Sequence, residues 1–231
     1  IVLTPFSHGI TRRMQNEDLS MFDYVFCWLG NTNLILSIIK LIEDKMNIEH
    51  DIEEAGVQMI LLVEDSVRFY SSILPNLYSY ILVQSKRFST EALNRHAATM
   101  RMRGRPKVVL ARTYEEAKKL YDKYSNNTLG VISDARFPLK SAAKAFGNEV
   151  EQEVKPEYGT DTFGREKCPD AGLQLFRYIR KNDSFVPLIL ESSESDNRAK
   201  AEAEGFRFVD KNSKKMSVDL RRLMEEHMGF G

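Results

Sequence analysis
Short, nearly unbroken apolar runs alternate along the chain with stretches in which apolar positions recur every three or four residues. From Met59 onward the alternation is regular. MILLV (59–63), KVVLA (107–111), TLGVIS (128–133), VPLIL (186–190) and FRFVD (206–210) read as strands, because a sheet covered on both faces needs continuous rather than alternating apolar character. Between them the helical period takes over. Phe69, Ile73, Leu77, Tyr80 and Ile81 line one face of a helix expected over 66–101, with Pro75 inside it and Phe88 and Leu93 continuing the stripe. Thr113 and Glu116 form a capping box for a helix carrying Ala117, Leu120 and Tyr124. Leu173, Phe176 and Ile179 follow a capping Asp170, an alanine-rich helix runs from Ser193 to Glu204, and Leu220, Leu223 and Met224 give the last helix its buried face. Strand and helix alternate five times, which predicts an α/β fold with a parallel sheet and helices on both faces.

Upstream the pattern is thinner. IVLT (1–4) and YVFCW (24–28) read as strands and ITRRMQN as a short helix; from Asn33 to Met46, Ile35, Ile38, Ile39, Ile42 and Met46 recur at helical spacing with Glu43, Asp44 and Lys45 opposite. Residues 1–50 are too few to close a core and are expected as a partial α/β unit packed on the rest of the chain, another subunit or further sequence. The acidic, irregular NIEHDIEEAG (47–56) is the best linker candidate, and the linker is expected at 51–58, before the domain 59–231. Residues 139–169 lose apolar periodicity and read as an inserted loop.

Composition narrows the class without naming it. Lys plus Arg equals Asp plus Glu at 33 each, so no global field recruits nucleic acid or an anionic membrane. No apolar run reaches the ~18 residues of a membrane span, no signal peptide precedes the first strand, and two cysteines, Cys27 and Cys168, fit a reducing compartment. A cytoplasmic protein is expected, and the start at Ile1 inside an apolar stretch reads as a fragment of something longer.

Parallel strands bring their C-terminal ends to one edge, where open α/β sheets hold ligands. There the first strand offers Glu64 and Asp65, the third Asp134, the fourth Ser192 and Ser193, and the fifth Lys211. Converging carboxylates repel one another, which implies a hard, oxygen-seeking cation such as Mg²⁺. A lysine and a hydroxyl opposite suggest a phosphoryl group, with a carboxylate as the attacking oxygen.

On these residues the chain from about 59 to 230 resembles a CheY-like response-regulator receiver domain. The resemblance implies a flavodoxin-like (βα)5 doubly wound sheet of strand order 2-1-3-4-5, with Mg²⁺ held by Glu64, Asp65, Asp134 and the main-chain carbonyl of Arg136. It makes Asp134 the phospho-acceptor, Pro138 the proline that follows it, Ser192 the hydroxyl on the phosphoryl group, Phe208 the switch aromatic and Lys211 the invariant lysine. It implies partners too: a phosphodonor, either a histidine kinase or a small molecule, and an attached or separate output domain, so that the chain itself is regulatory and not an enzyme. Departures are Asn212 in place of a cis proline, Glu191 on a normally apolar strand, Ser193 in place of alanine, the long first helix and the insertion. The last two read as partner surfaces, the helix as a homodimer contact.

Residues 1–50 resemble the second half of a degenerate receiver, with Trp28, Leu29 and Gly30 where a lysine is expected. The blocks STEALNRH, RMRGRPKVVLARTYEEA, DKNS and HMGFG resemble the regulatory region of phosphoenolpyruvate synthase or pyruvate phosphate dikinase-like proteins, which implies a catalytic part outside this chain.

Other readings stay open at this stage. The acidic residues and Lys211 also suit the strand ends of an unrelated α/β protein, Ser192 suits a helix cap, and RMRGRPK suits either an anion or a solvated helix end. Phe69, Tyr70, Tyr78 and Tyr80 suit core or a dimer interface. The whole chain could instead be a receiver-like scaffold that dimerises without phosphorylation, or a haloacid dehalogenase-type phosphatase, although that family wants an Asp where Arg136 stands. None of His8, His50, His96 and His227 has ligand spacing.

Overall fold
The structure is a computed structural model and describes residues 1–5, 22–90, 94–95, 104–140, 159–161 and 163–229. The chain enters through a small parallel pair, β1 (Val2–Pro5) and β2 (Val25–Trp28), followed by α1 (Asn33–Ala55). Then come β3 (Met59–Val63), α2 (Val67–Thr90), β4 (Lys107–Ala111), α3 (Tyr114–Tyr124) and β5 (Thr128–Asp134). Two short strands, β6 (Phe137–Pro138) and β7 (Lys167–Cys168), precede α4 (Ala171–Asn182), β8 (Leu188–Ser192), α5 (Asp196–Ala203), β9 (Arg207–Asp210) and α6 (Met216–His227).

Five strands form one parallel sheet in the order β4-β3-β5-β8-β9. Counted from β3 this is 2-1-3-4-5, the flavodoxin-like doubly wound arrangement. Met59 to Val63 are all fully buried, as are Val131, Ile132, Ile189 and Leu190, so the central strands are covered on both faces and need the continuous apolar runs that mark them in the sequence. One face carries α2 and α6 with β2 and α1 outside them; the other carries α3, α4 and α5. Each buried Leu or Ile contributes roughly 1.5–3 kcal/mol. No described helix is long and apolar enough to cross a membrane.

The upstream unit differs from expectation in two ways. The stretch read as a linker is helical to Ala55: Leu34, Ser37, Leu41, Asp44 and Ile48 continue one buried face past Met46, and the helix stops only where Gly56, at φ 61°, donates to the Ile52 carbonyl. The face is also rotated. Ile35, Ile39 and Met46 are exposed, whereas Asp44, expected on the solvent side, is completely buried. Its carboxylate accepts Arg105 Nη2 at 2.7 Å, Arg105 Nη1 at 3.1 Å, the Tyr78 hydroxyl at 2.9 Å and the Val108 N–H at 3.0 Å. Asp44 thus pins α1 to the start of edge strand β4. Of the basic run 101–107, Arg105 and Lys107 are consequently buried ion-pair partners, not a solvated helix end; residues 101–103 lie outside the described part.

β2 docks on α2 through the Cys27 N–H to Ser71 Oγ at 2.9 Å, the Tyr70 hydroxyl to the Val25 carbonyl, and an edge-on contact of Phe26 with Tyr70. Of the aromatic stripe, Tyr70, Tyr78 and Tyr80 are therefore core and Phe69 is half-buried against it. For the homodimer expected through this helix, its described residues leave only Val83 and Phe88 as exposed large apolar side chains. The helix runs through Pro75 to Thr90; its expected continuation to 101, and the expected helix over ITRRMQN, lie outside the described residues. Asp170 precedes α4 without a side-chain cap and pairs with Lys200 instead, and α5 begins at Asp196 instead of Ser193.

The insertion is described at 139–140, 159–161 and 163–169, and a strand pair joins its end to the residues before it. β6 and β7 pair antiparallel, Phe137 opposite Cys168 and Pro138 opposite Lys167, and Thr160 bridges Glu166. Asp161 organises the return: its carboxylate accepts the N–H groups of Phe163 and Arg165 and the Arg165 Nε at 2.7 Å.

Candidate functional site
The strand ends meet as the topology requires. Oxygens of Glu64, Asp65 and Asp134 lie within 4.8 Å of one another, and Glu64 and Asp65 are completely buried. Lys211 crosses from the end of β9, two strands away from β5, to stand 2.8 Å from Asp134 Oδ1 and in contact with Glu64. Its Nζ also lies 4.4 Å from the centre of the Phe69 ring, which shields it from solvent. The Ala135 N–H holds the same Asp134 oxygen at 2.8 Å, which leaves Oδ2 as the freer atom.

Helix α4 approaches this loop at its first turn. A Cβ on Gly172 would sit 2.3 Å from the Asp134 carbonyl oxygen, and the Gly172 N–H bonds to the Ala135 carbonyl. Only a residue without a side chain allows that contact.

Two further charged groups join the cluster that the sequence reading did not assign to it. Lys167, delivered by β7, reaches Asp65 Oδ2 at 2.6 Å. Glu191, beside Asp134 in the sheet register, is completely buried, and neither of its carboxylate oxygens has a hydrogen-bond partner among the described residues. Four carboxylates therefore face two lysines. Electrostatics respond accordingly. Burial pushes Glu191 up to about 7, against the pull of Lys211 and aided by Asp134. Burial likewise raises Glu64 despite its Lys211 contact, because Asp134 and Asp65 add to it, and raises Asp65 despite Lys167. Burial alone would lower Lys211, but Asp134, Glu64 and Glu191 hold its ammonium well above the ordinary lysine range.

Once all four carboxylates are ionised the cluster carries an excess of two negative charges, the deficit a divalent hard cation fills, and burial without one favours the protonated forms. Asp65 Oδ1, buried and without a hydrogen-bond partner among the described residues, is an oxygen of the kind such an ion uses. The donor set fits Mg²⁺.

The remaining sequence-predicted residues surround this core. Ser192 Oγ accepts the N–H of Glu194 at 3.1 Å and the Asn197 amide at 2.9 Å, so its oxygen closes a turn before α5, and its hydroxyl retains one proton to donate. Arg136 turns its side chain to Glu194 across the mouth of the site. Phe208 packs partly buried with the Arg198 guanidinium 4.7 Å above its ring. Asn212 ties the two neighbouring loops, its amide donating to the Ser193 carbonyl at 2.9 Å while its N–H bonds Asp210.

No family model and no curated protein matches the chain. Solved structures do. A response regulator receiver domain protein from Clostridium thermocellum aligns with 16% identity and a TM-score of 0.43, over 75% of this chain and 95% of that one. The non-phosphorylated HemR receiver domain of Leptospira biflexa aligns with 19% identity and a TM-score of 0.37, over 72% and 94%. A two component transcriptional regulator AraC from Clostridium phytofermentans ISDg aligns with 14% identity and a TM-score of 0.38, over 75% and 93%. At such scores the weight stays on strand order and side chains. None of these proteins bears on the resemblance to phosphoenolpyruvate synthase-like proteins.

Proposed function
We propose that the chain is a cytoplasmic receiver domain that accepts a phosphoryl group on Asp134 and passes the change to an attached or separate output domain. One observation carries the reading: Asp134 ends the central strand with Oδ1 held by Lys211 and Ala135, and with Glu64 and Asp65 oxygens within 4.8 Å. Asp134 Oδ2 attacks phosphorus, the bond to the donor's imidazole or acetate oxygen breaks with its electron pair, and an acyl phosphate results. Glu64, Asp65, Asp134 and the Arg136 carbonyl would hold Mg²⁺, whose charge offsets the negative charge of the phosphoryl oxygens. Lys211 orients the acceptor and then pairs with the product, the Ser192 hydroxyl donates to it, and Phe208 at the rim follows the Ser192 loop.

Incubation with acetyl phosphate and Mg²⁺ is expected to add one phosphoryl group by intact mass, and Asp134→Asn is expected to abolish it. Failure to add it, or addition that survives the substitution, refutes the reading. The ion pair of Lys167 with Asp65 favours a second one, a receiver-like scaffold that is never phosphorylated. That reading predicts no mass change and an unchanged sedimentation coefficient with a phosphoryl mimic.

A further inference from the structure
Lys167 puts an ammonium on one of the carboxylates proposed to hold the cation. We infer that β7, with the described residues 159–161 and 163–166 that lead into it, is an internal latch: its Lys167 supplies the counter-charge to Asp65 and competes with a divalent cation for that carboxylate. The inference rests on the cation-holding part of the function proposed above.

Four features carry it. Lys167 Nζ lies 2.6 Å from a completely buried carboxylate whose other oxygen has no hydrogen-bond partner among the described residues, so a single ammonium is the partner provided for Asp65. An ammonium and a divalent cation on one carboxylate would stand a few ångströms apart and repel strongly in so dry a site. The lysine is also held by construction. Its N–H bonds to the Gly159 carbonyl, the Asp161 N–H to the Arg165 carbonyl, and the buried Asp161–Arg165 ion pair closes the turn between. Phe163 of that turn packs against the Arg112 guanidinium at 5.0 Å, which fastens the hairpin to the end of β4. Finally, β6 begins three residues after Asp134, so the loop bearing the acceptor and the Arg136 carbonyl also bears the strand that pairs with Lys167. A cation held by Asp65 and the Arg136 carbonyl would therefore bear on both strands of the latch, repelling Lys167 on β7 and engaging the loop that leads into β6. Phe163 and Lys167, in the part of the insertion that the structure describes, thus reach back into the chain's own domain.

Manganese binding to the full chain at neutral pH, followed by the loss of the free-ion paramagnetic resonance signal, decides the matter. Lys167→Gln is expected to bind Mn²⁺ about tenfold more tightly or better, because a competing like charge is gone. Asp161→Asn is the second variant: it loosens the hairpin without touching the carboxylate cluster. Loss of a nearby negative charge would by itself weaken cation binding, so tighter binding by this variant supports release of the latch. Equal or weaker binding by Lys167→Gln overturns the inference and leaves the acetyl phosphate result intact. Absence of Mn²⁺ binding to every chain overturns the latch together with the cation site, whereas the mass measurement judges Asp134 on its own.

Discussion

Glu191 is a buried carboxylate without a hydrogen-bond partner among the described residues, and its removal should stabilise the protein in a pH-dependent way. Its folded-state value of about 7 lies above the ordinary 4.5 because burial penalises the charged form. Below pH 4.5 the group is protonated in both states and contributes nothing to the pH dependence. Between 4.5 and about 7 the unfolded chain ionises while the folded chain keeps its proton, so stability falls with rising pH by ~1.4 kcal/mol per unit. Above 7 both states are ionised, and the accumulated loss levels off at about 3 kcal/mol. Glu191→Gln preserves shape and removes the ionisation. Urea unfolding with a chelator present should give a variant similar to the parent near pH 4.5 and more stable by up to about 3 kcal/mol at pH 8. A difference that does not grow with pH, or a variant less stable at pH 8, would show that Glu191 has a partner and would refute the charge imbalance inferred for the site.

Three other outcomes follow from the packing. Asp44→Asn should cost roughly 3–5 kcal/mol at neutral pH, because it leaves the buried Arg105 guanidinium with only the half-exposed Glu43 carboxylate, at 3.6 Å, as counter-charge; urea midpoints measure it, and a loss under 1 kcal/mol would mean that the N-terminal helix is not fixed through this group. Gly172→Ala should destabilise by roughly 1–3 kcal/mol and slow phosphoryl acceptance in the mass assay, since its Cβ meets the Asp134 carbonyl. Gly130→Ala should cost less in the same unfolding experiment, because the atom it meets is the flexible end of Met228; the reverse order would contradict the close approach of α4 to the acceptor loop.

The sheet was legible because its strands are buried on both faces and so carry an unbroken apolar signal, and because five such runs spaced by helices admit few topologies. Glu64, Asp65, Asp134 and Lys211 were legible for a related reason: each ends a strand, and parallel strand ends must converge. Lys167 and Glu191 were not. Lys167 follows a stretch without periodicity, and nothing in GREKCPD says which way a lysine turns; a count of carboxylates against cations is the one hint that more positive charge was needed. Glu191 was visible as a charge on an apolar strand, but only the register beside Asp134 reveals what it faces. The rotation of α1 escaped because its isoleucines outnumber its buried leucines, so periodicity alone favoured the wrong stripe. The decisive residue was an aspartate, and a buried aspartate is recognisable only through Arg105, sixty-one positions away.

Lys167 and Glu191 are also linked by charge. When ionised, Glu64, Asp65 and Asp134 set against Lys211 leave an excess of two negative charges; Glu191 on β8 and Lys167 on β7 add one charge of each sign, so that excess is unchanged. Either addition alone would tilt it. If the two compensate, Lys167→Gln should destabilise the parent at pH 8 in the presence of chelator, but destabilise the Glu191→Gln background less, since one fewer negative charge then lacks a partner. The four chains form a double-mutant cycle whose coupling should exceed ~0.5 kcal/mol in favour of the parent pair. Additive effects within that margin would mean that the two residues arose as independent departures, with Lys167 serving Asp65 alone.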